Sequence, residues 1–311
     1  MKKVLITGAD GLVGNALKSI SSDFKNLNCI FVNRKDADLT DRNSVEKLFK
    51  LYNPDYVIHT AARVGGIGRN LNSPVQQFTD NILMNTNVVD MAHKYGVKKL
   101  IAFSSVCVFP ADAQVIKEDI LQNSPPFPAH MTYAYAKRMT DIHIQAYKLQ
   151  YGGSVNYCSV IPGNIFGEFD NYNLEDGHVV PSLLHKCFIA KKQNSPLTVW
   201  GDGSSQREFV YSKDIAKVCF QLLCNFEKLP LRLIVSGEKE YSIKEISEMI
   251  SEISGLNNIY FDTSKPNGQK KRPSDHSLFR SLFPNFEFSD IKKSLEDSYK
   301  WLEKNYEIAR K

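Results

Sequence analysis

Tyr133 and Lys137 stand four residues apart in Tyr133-Ala134-Tyr135-Ala136-Lys137, a spacing that puts a phenol and an ammonium on one face of a helix. A tyrosine ordinarily titrates near ~10, and a cation beside it favours the phenolate, so the pair can pass a proton to or from a substrate oxygen near neutral pH. With 14 tyrosines in the chain, about one such spacing arises by chance. Tyr95 and Lys99 share it, but Gly96 and the apolar run Leu100-Ile101-Ala102-Phe103 place that pair across a helix end and a strand start. No Gly or Pro interrupts Tyr133 to Gln150, which reads as one helix. Other reactive side chains precede it. Ser105 and Cys107 follow the apolar run ending at Phe103, so a hydroxyl and a thiol stand at the carboxyl end of a strand.

The elements that must hold these groups begin at the N-terminus. Val4-Leu5-Ile6-Thr7 reads as a strand, Gly8, Gly11 and Gly14 as a turn, and the residues from Leu12 and Val13 onward as a helix. Glycines let a pyrophosphate approach the backbone, and the helix start offers it free N–H groups. The spacing is Gly-x-x-Gly-x-x-Gly rather than the G-x-G-x-x-G of the usual dinucleotide fingerprint. A second strand, Cys29 to Val32, ends in Asn33-Arg34-Lys35, and cations there suit the 2′-phosphate of NADPH. Asp36 and Asp38 keep NADH open, and Asp38-Leu39 can border the adenine instead.

A helix over about Ser44 to Tyr52 leads to a strand at Tyr56-Val57-Ile58-His59, with the small residues Ala61, Ala62, Gly65 and Gly66 beyond it leaving room for a ligand. His59 reads as a strand-end residue. A long helix spans about Pro74 to Tyr95, with Asn81 and Asn85 either lining a site or facing the surface. A fifth strand is expected over Ser154 to Ile161. Such alternation over about 160 residues predicts an α/β fold, a Rossmann-type doubly wound parallel sheet with helices on both faces.

After Pro162 the alternation breaks into a long polar loop, Asp170 to His178, of the kind that usually serves binding. The expected organisation is a nucleotide-binding domain over residues 1–165, to which about 200–235 returns, and a smaller C-terminal α/β lobe from 166–199 and 236–311 that binds substrate. Thr198 to Gly203 and Arg207 to Tyr211 read as a strand pair, and Ser242 with Glu245 as a capping box. Lys270-Lys271-Arg272 reads equally as a diphosphate site or a solvated loop.

Composition narrows the function. The net charge of +5 comes from scattered cations with no block suited to nucleic acid or a membrane surface. Six cysteines show no metal-binding spacing, and reduced thiols in a cytoplasm fit them best. No secretory signal is evident after Met1-Lys2-Lys3, and no run of about 18 apolar residues exists.

Taken together, Gly8 to Gly14, Ser105, Tyr133 and Lys137 resemble the extended short-chain dehydrogenases/reductases that modify nucleotide sugars. Further segments, Lys35 to Asp41, Val64-Gly65-Gly66, Tyr133 to Met139, Asp170 to His178 and Leu197 to Gly201, are similar over nearly the whole chain to the GDP-L-fucose synthase family. The resemblance implies NADPH-dependent 3,5-epimerisation and C4 reduction of a GDP-linked 4-keto sugar by a homodimer paired through the two long helices. It makes Cys107 the base and His178 the acid of epimerisation, with Ser105 and Tyr133 on the enolate oxygen. Lys137 would bind the nicotinamide ribose. Pro162, Asn164, Ile165 and His178 would border the cofactor, and Asn164, Lys186, Trp200, Arg207 and Arg272 the GDP-sugar. Gly163 stands where relatives commonly carry Thr, an exchange expected to make room for a larger sugar such as a heptose, in which case the alternative is a C4 reductase with or without epimerisation. An epimerase or dehydratase that keeps NAD bound, and a nucleotide sensor without catalysis, are the competing classes.

Overall fold

The computed structural model describes residues 1–65, 72–265, 267 and 271–311. Gly66 and Lys270 therefore lie outside the described residues. Five parallel pairings join six strands in the order β2-β1-β3-β4-β5-β9, namely β1 (Lys2–Thr7), β2 (Leu27–Val32), β3 (Tyr56–His59), β4 (Lys99–Phe103), β5 (Tyr157–Pro162) and β9 (Arg232–Val235). Side chains alternate across a strand, so Val4, Ile6, Ile58, Ile101 and Val160 enter one core while Leu5, Val57, Leu100 and Tyr157 enter the other. Both faces are thereby covered by helices, which explains the nearly unbroken apolar strands.

Helices α1 (Leu12–Ile20) and α6 (Ser212–Asn225) close the first face; α2 (Arg42–Tyr52), α3 (Pro74–Lys94) and α4 (Met131–Tyr151) close the second. The Asp41 carboxylate caps α2 by accepting from the N–H groups of Asn43 and Ser44. Chain order reverses between β1 and β3, and in such sheets ligands settle at that switch, beyond the strands' carboxyl ends. The glycine turn follows β1 directly.

A third core belongs to the remaining elements. Here α5 (Val179–Gln193), α7 (Ile243–Ser254) and α9 (Ile291–Lys304) pack with β7 (Leu197–Trp200) and β8 (Gln206–Tyr211). Ser242 and Glu245 form the expected capping box at the start of α7. The expected pairing of the Thr198 and Arg207 strands does not occur: β7 pairs with β11 (Ile259–Asp262), and β8 lies between β6 (Asn164–Phe166) and β10 (Glu240–Ser242). Gly201 and Gly203, both at positive φ, turn the intervening chain away from a hairpin. The fifth strand begins at Tyr157 rather than Ser154, because Gly152–Ser154 form a 3₁₀ turn. Among the described residues no helix is long and apolar enough to cross a membrane.

Candidate active site

The glycine turn is built to admit an anion. Gly8 has φ +74°, and a Cβ there would lie 2.7 Å from the main-chain nitrogen of Ala61, so the end of β1 and the residues after β3 approach closely. A Cβ on Gly14 would meet Ala9 Cα at 2.7 Å as well as the Gly8 carbonyl. Gly11 caps α1 with extended backbone, no side-chain hydrogen bond and no acid in the first turn, which leaves the helix dipole and its N–H groups for a ligand.

At the end of β2, Asp36 accepts from Asn33 N at 2.8 Å and Asp38 accepts from Thr40 N and Oγ1 at 3.0 and 2.8 Å. Both acids are thus spent on local turns, and hydrogen bonds from Thr40 hold the Asp38 carboxyl below its usual range. Arg34 and Lys35 remain exposed. Leu39 is buried in the second core, Ala61 and Ala62 are half-buried, and Ile165 packs against the first core. Pro162 ends β5 as a buried residue, and Asn164 Nδ2 donates to Glu208 O at 2.9 Å.

The reactive groups meet between β4 and α4. Ser105 caps a short 3₁₀ turn, Val106–Val108, and its Oγ accepts from Cys107 N at 3.3 Å. Burial pushes the Tyr133 hydroxyl and the Cys107 thiol upward; Cys107 further raises Tyr133, while the Ser105 side chain draws both back. These three residues therefore share one locus. Lys137 is 1% exposed, donates to Phe103 O at 2.9 Å, and is lowered by burial to about 8. The other pair, Tyr95 and Lys99, serves packing: Tyr95 caps α3, and Lys99 Nζ donates to Leu223 O and Phe226 O.

The remaining expected residues divide into two groups. Arg272 lies within electrostatic reach of Cys107, Arg207 and Arg138, donates to Pro110 O at 2.5 Å, and its buried Nε has no partner among the described residues. Its neighbour Lys271 pairs instead with Glu240 at 2.5 Å. His130 lies within electrostatic reach of both Arg272 and His178. His178 is solvent-exposed at the start of α5, yet surrounding protein and His130 hold its pKa below the ordinary value, against Asp176. Lys186 and Trp200 form a second group, with Lys186 Nζ 4.3 Å from the centre of the half-exposed indole.

Three features lay beyond sequence reading. His130 ends the short 3₁₀ turn Pro128–His130 that follows Pro125 and Pro126 in a Pro-rich loop, and it lies within electrostatic reach of His178. Glu208 accepts from Ser274 N, Ser274 Oγ and His276 Nε2, holding the segment that carries Arg272. Asn81 and Asn85 are buried rather than superficial, because α3 turns them inward: Asn85 Oδ1 stands 2.9 Å from His59 Nε2, and Asn81 Nδ2 donates to Arg63 O. The room expected at Gly163 is filled, since a Cβ there would meet the Ser236 side chain.

A model described as the NAD dependent epimerase/dehydratase family matches residues 4–235. The chain is 40% identical to a Dictyostelium discoideum GDP-L-fucose synthase, over 100% of this chain and 98% of the relative. A crystal structure of a Naegleria fowleri GDP-L-fucose synthetase bound to NADP superposes with a TM-score of 0.94 at 36% identity, covering 100% of this chain and 95% of that one. A Campylobacter jejuni GDP-mannoheptose C4 reductase with NADP bound is more distant, at 27% identity and a TM-score of 0.85 over 97% of this chain and 98% of that one. With its parallel sheet, glycine turn and Tyr/Lys helix, the chain belongs to the NAD-dependent epimerase/dehydratase family and, within it, to the GDP-L-fucose synthases.

Proposed function

We propose that this protein epimerises GDP-4-keto-6-deoxy-mannose at C3 and C5 and reduces it at C4 with NADPH, giving GDP-L-fucose. The observation that carries this reading is the convergence of Ser105, Cys107 and Tyr133 at the end of β4, one helical turn from a buried Lys137. A ketone at C4 acidifies the protons on C3 and C5, so inversion needs a base and an acid beside those carbons. Cys107 removes a proton and His178 returns one to the opposite face, while the hydroxyls of Ser105 and Tyr133 donate to the enolate oxygen. In the unliganded chain burial raises the Cys107 thiol, while surrounding protein and His130 lower the His178 imidazole, so both groups favour their neutral forms. Transfer of one proton between them creates the working thiolate and imidazolium without changing the site's total charge.

NADPH, when bound, supplies the hydride for C4. The glycine turn and α1 would hold its diphosphate, Arg34 and Lys35 its 2′-phosphate, and Lys137 its nicotinamide ribose, with Asn33, Asp38, Leu39, Ala61, Ala62, Pro162, Asn164 and Ile165 as further cofactor neighbours. Tyr133 donates its proton to the C4 oxygen during reduction, and the Lys137 charge favours the phenolate left behind. Arg207 and Arg272 neutralise the GDP diphosphate, whose arrival compensates their mutual repulsion. Lys186 and Trp200 receive the remainder of the nucleotide. Two domains divide this labour, one for the cofactor over residues 1–165 with 200–235, and one for the sugar nucleotide.

Exposed Val75, Phe78 and Leu83 on α3 and Met139, Ile142 and Leu149 on α4 form the surface through which a second copy pairs with the chain. The six free thiols suit a reducing compartment, the cytoplasm.

The test is deuterium uptake at C3 and C5 in heavy water, with and without NADPH, for wild type, Cys107→Ser and His178→Gln. Wild type is expected to exchange both positions without NADPH, and both variants to lose exchange. Reduction without exchange would leave a plain C4 reductase, and turnover without net NADPH consumption would reassign the protein to the NAD-retaining class.

A further inference from the structure

We infer that Arg138 is a positioning residue for epimerisation, fixing the Cys107 turn against the helix that carries Tyr133. This rests on the reaction proposed above and adds a residue to it. Arg138 follows Lys137 on α4 and is 3% exposed. Its Nε donates to Val108 O at 2.6 Å and its Nη2 to Ser124 O at 2.7 Å, and its guanidinium carbon stands 5.4 Å from the centre of the Tyr135 ring.

Lys137 holds the carbonyl of Phe103 and Arg138 that of Val108, so two consecutive cations of one helix grip the chain on either side of Ser105 and Cys107. The reactive segment is fastened at both ends to the helix that presents Tyr133. The second bond of Arg138, to Ser124, ties down the Pro-rich loop that pairs with Pro110 and Ala111 just past the turn. Arg138 meets main-chain carbonyls and no carboxylate among the described residues, an expensive state for a buried cation. The guanidinium sets these two donors on separate nitrogens, Nε and Nη2, in one rigid plane, a geometry that the single nitrogen of a lysine does not reproduce. If the inference holds, losing Arg138 frees Cys107 while Lys137 keeps Tyr133 and the end of β4 in place, so epimerisation suffers more than reduction.

Two measurements on Arg138→Met test this. The first needs no substrate: alkylation of Cys107 by iodoacetamide, followed on its own peptide by mass spectrometry with Cys29 and Cys224 as internal references. A severalfold change confined to Cys107 is expected, and an unchanged rate in a folded variant overturns the inference. The second compares C3 and C5 exchange with hydride transfer to an already epimerised 4-keto sugar. Exchange is expected to fall roughly tenfold to a hundredfold further than hydride transfer, as small misplacements of reacting groups do; equal losses overturn it. Should Arg138→Met fail to fold, Arg138→Lys is read by the same two assays, with a smaller effect in the same direction expected and no effect overturning the inference. If wild type itself shows no exchange, the proposed reaction falls, and the alkylation result still decides whether Arg138 holds Cys107.

Discussion

The side chain of Ser236 occupies the space a side chain on Gly163 would require, with its Cβ 2.8 Å from the position a Gly163 Cβ would take. Ser236 is 1% exposed and its hydroxyl has no hydrogen-bond partner among the described residues. A glycine in this loop therefore marks an exchange of side chains between β5 and β9 and opens no cavity. Gly163→Thr is expected to destabilise by about 1–3 kcal/mol through overpacking, and Gly163→Thr combined with Ser236→Gly to recover most of that loss. Urea unfolding of the two variants measures the difference, and an unaffected single variant would show that Ser236 yields freely.

Tyr133→Phe removes the proton donor for the C4 oxygen and leaves the buried ring in place. Hydride transfer should fall by about 10²–10⁴-fold, the usual worth of a positioned acid. Single-turnover loss of NADPH absorbance reports this directly, and a loss below tenfold would show that another group supplies the proton.

Lys137 makes the reaction and the fold respond to pH in opposite senses. Burial lowers its folded pKa to about 8 from 10.5, so between those values the unfolded chain holds a proton that the folded chain has lost, and stability rises with pH. The penalty for the buried ammonium, about 3 kcal/mol, is in force below the folded pKa and relieved as pH climbs to the unfolded one. Unfolding free energies of wild type and Lys137→Met should diverge across that window, in favour of wild type at the alkaline end. Activity needs the charged form, so kcat/KM should decline above about pH 8. Lys137→Arg should move that decline out of range, and an unshifted profile would assign it elsewhere.

Asp141 is fully buried on α4 and holds Arg232 of β9 through two 2.6 Å bonds, with Gln122 and Gln145 donating to the same carboxylate. Removing one partner strands the other charge, so Asp141→Ala should destabilise by roughly 3–5 kcal/mol. Chemical denaturation gives the value, and a cost under about 1 kcal/mol would mean that the site hydrates like a surface pair.

Replacing Arg34 and Lys35 together by alanine should weaken NADPH while sparing NADH. Loss of charge-assisted bonds of about 1.5–3 kcal/mol each corresponds to at least tenfold in relative affinity. Fluorescence titration with both nucleotides measures the ratio, and equal weakening would place the 2′-phosphate elsewhere.

Much of this was legible in the chain because it is local. Apolar runs of four or five residues with no polar alternation specify strands covered on both faces, and a glycine turn between strand and helix specifies an anion cradle. Tyr133 and Lys137 share a face through helical spacing alone. Contacts between distant segments carry no such mark. That β7 pairs with β11, that Ser236 fills the space at Gly163, that Glu208 holds the segment bearing Arg272, and that Arg138 grips the Cys107 turn all depend on which surfaces meet after folding. Periodicity records the face a residue presents to its own element; only packing decides which atoms from elsewhere arrive there, because that choice is made by excluded volume and by the need of every buried polar group for a partner.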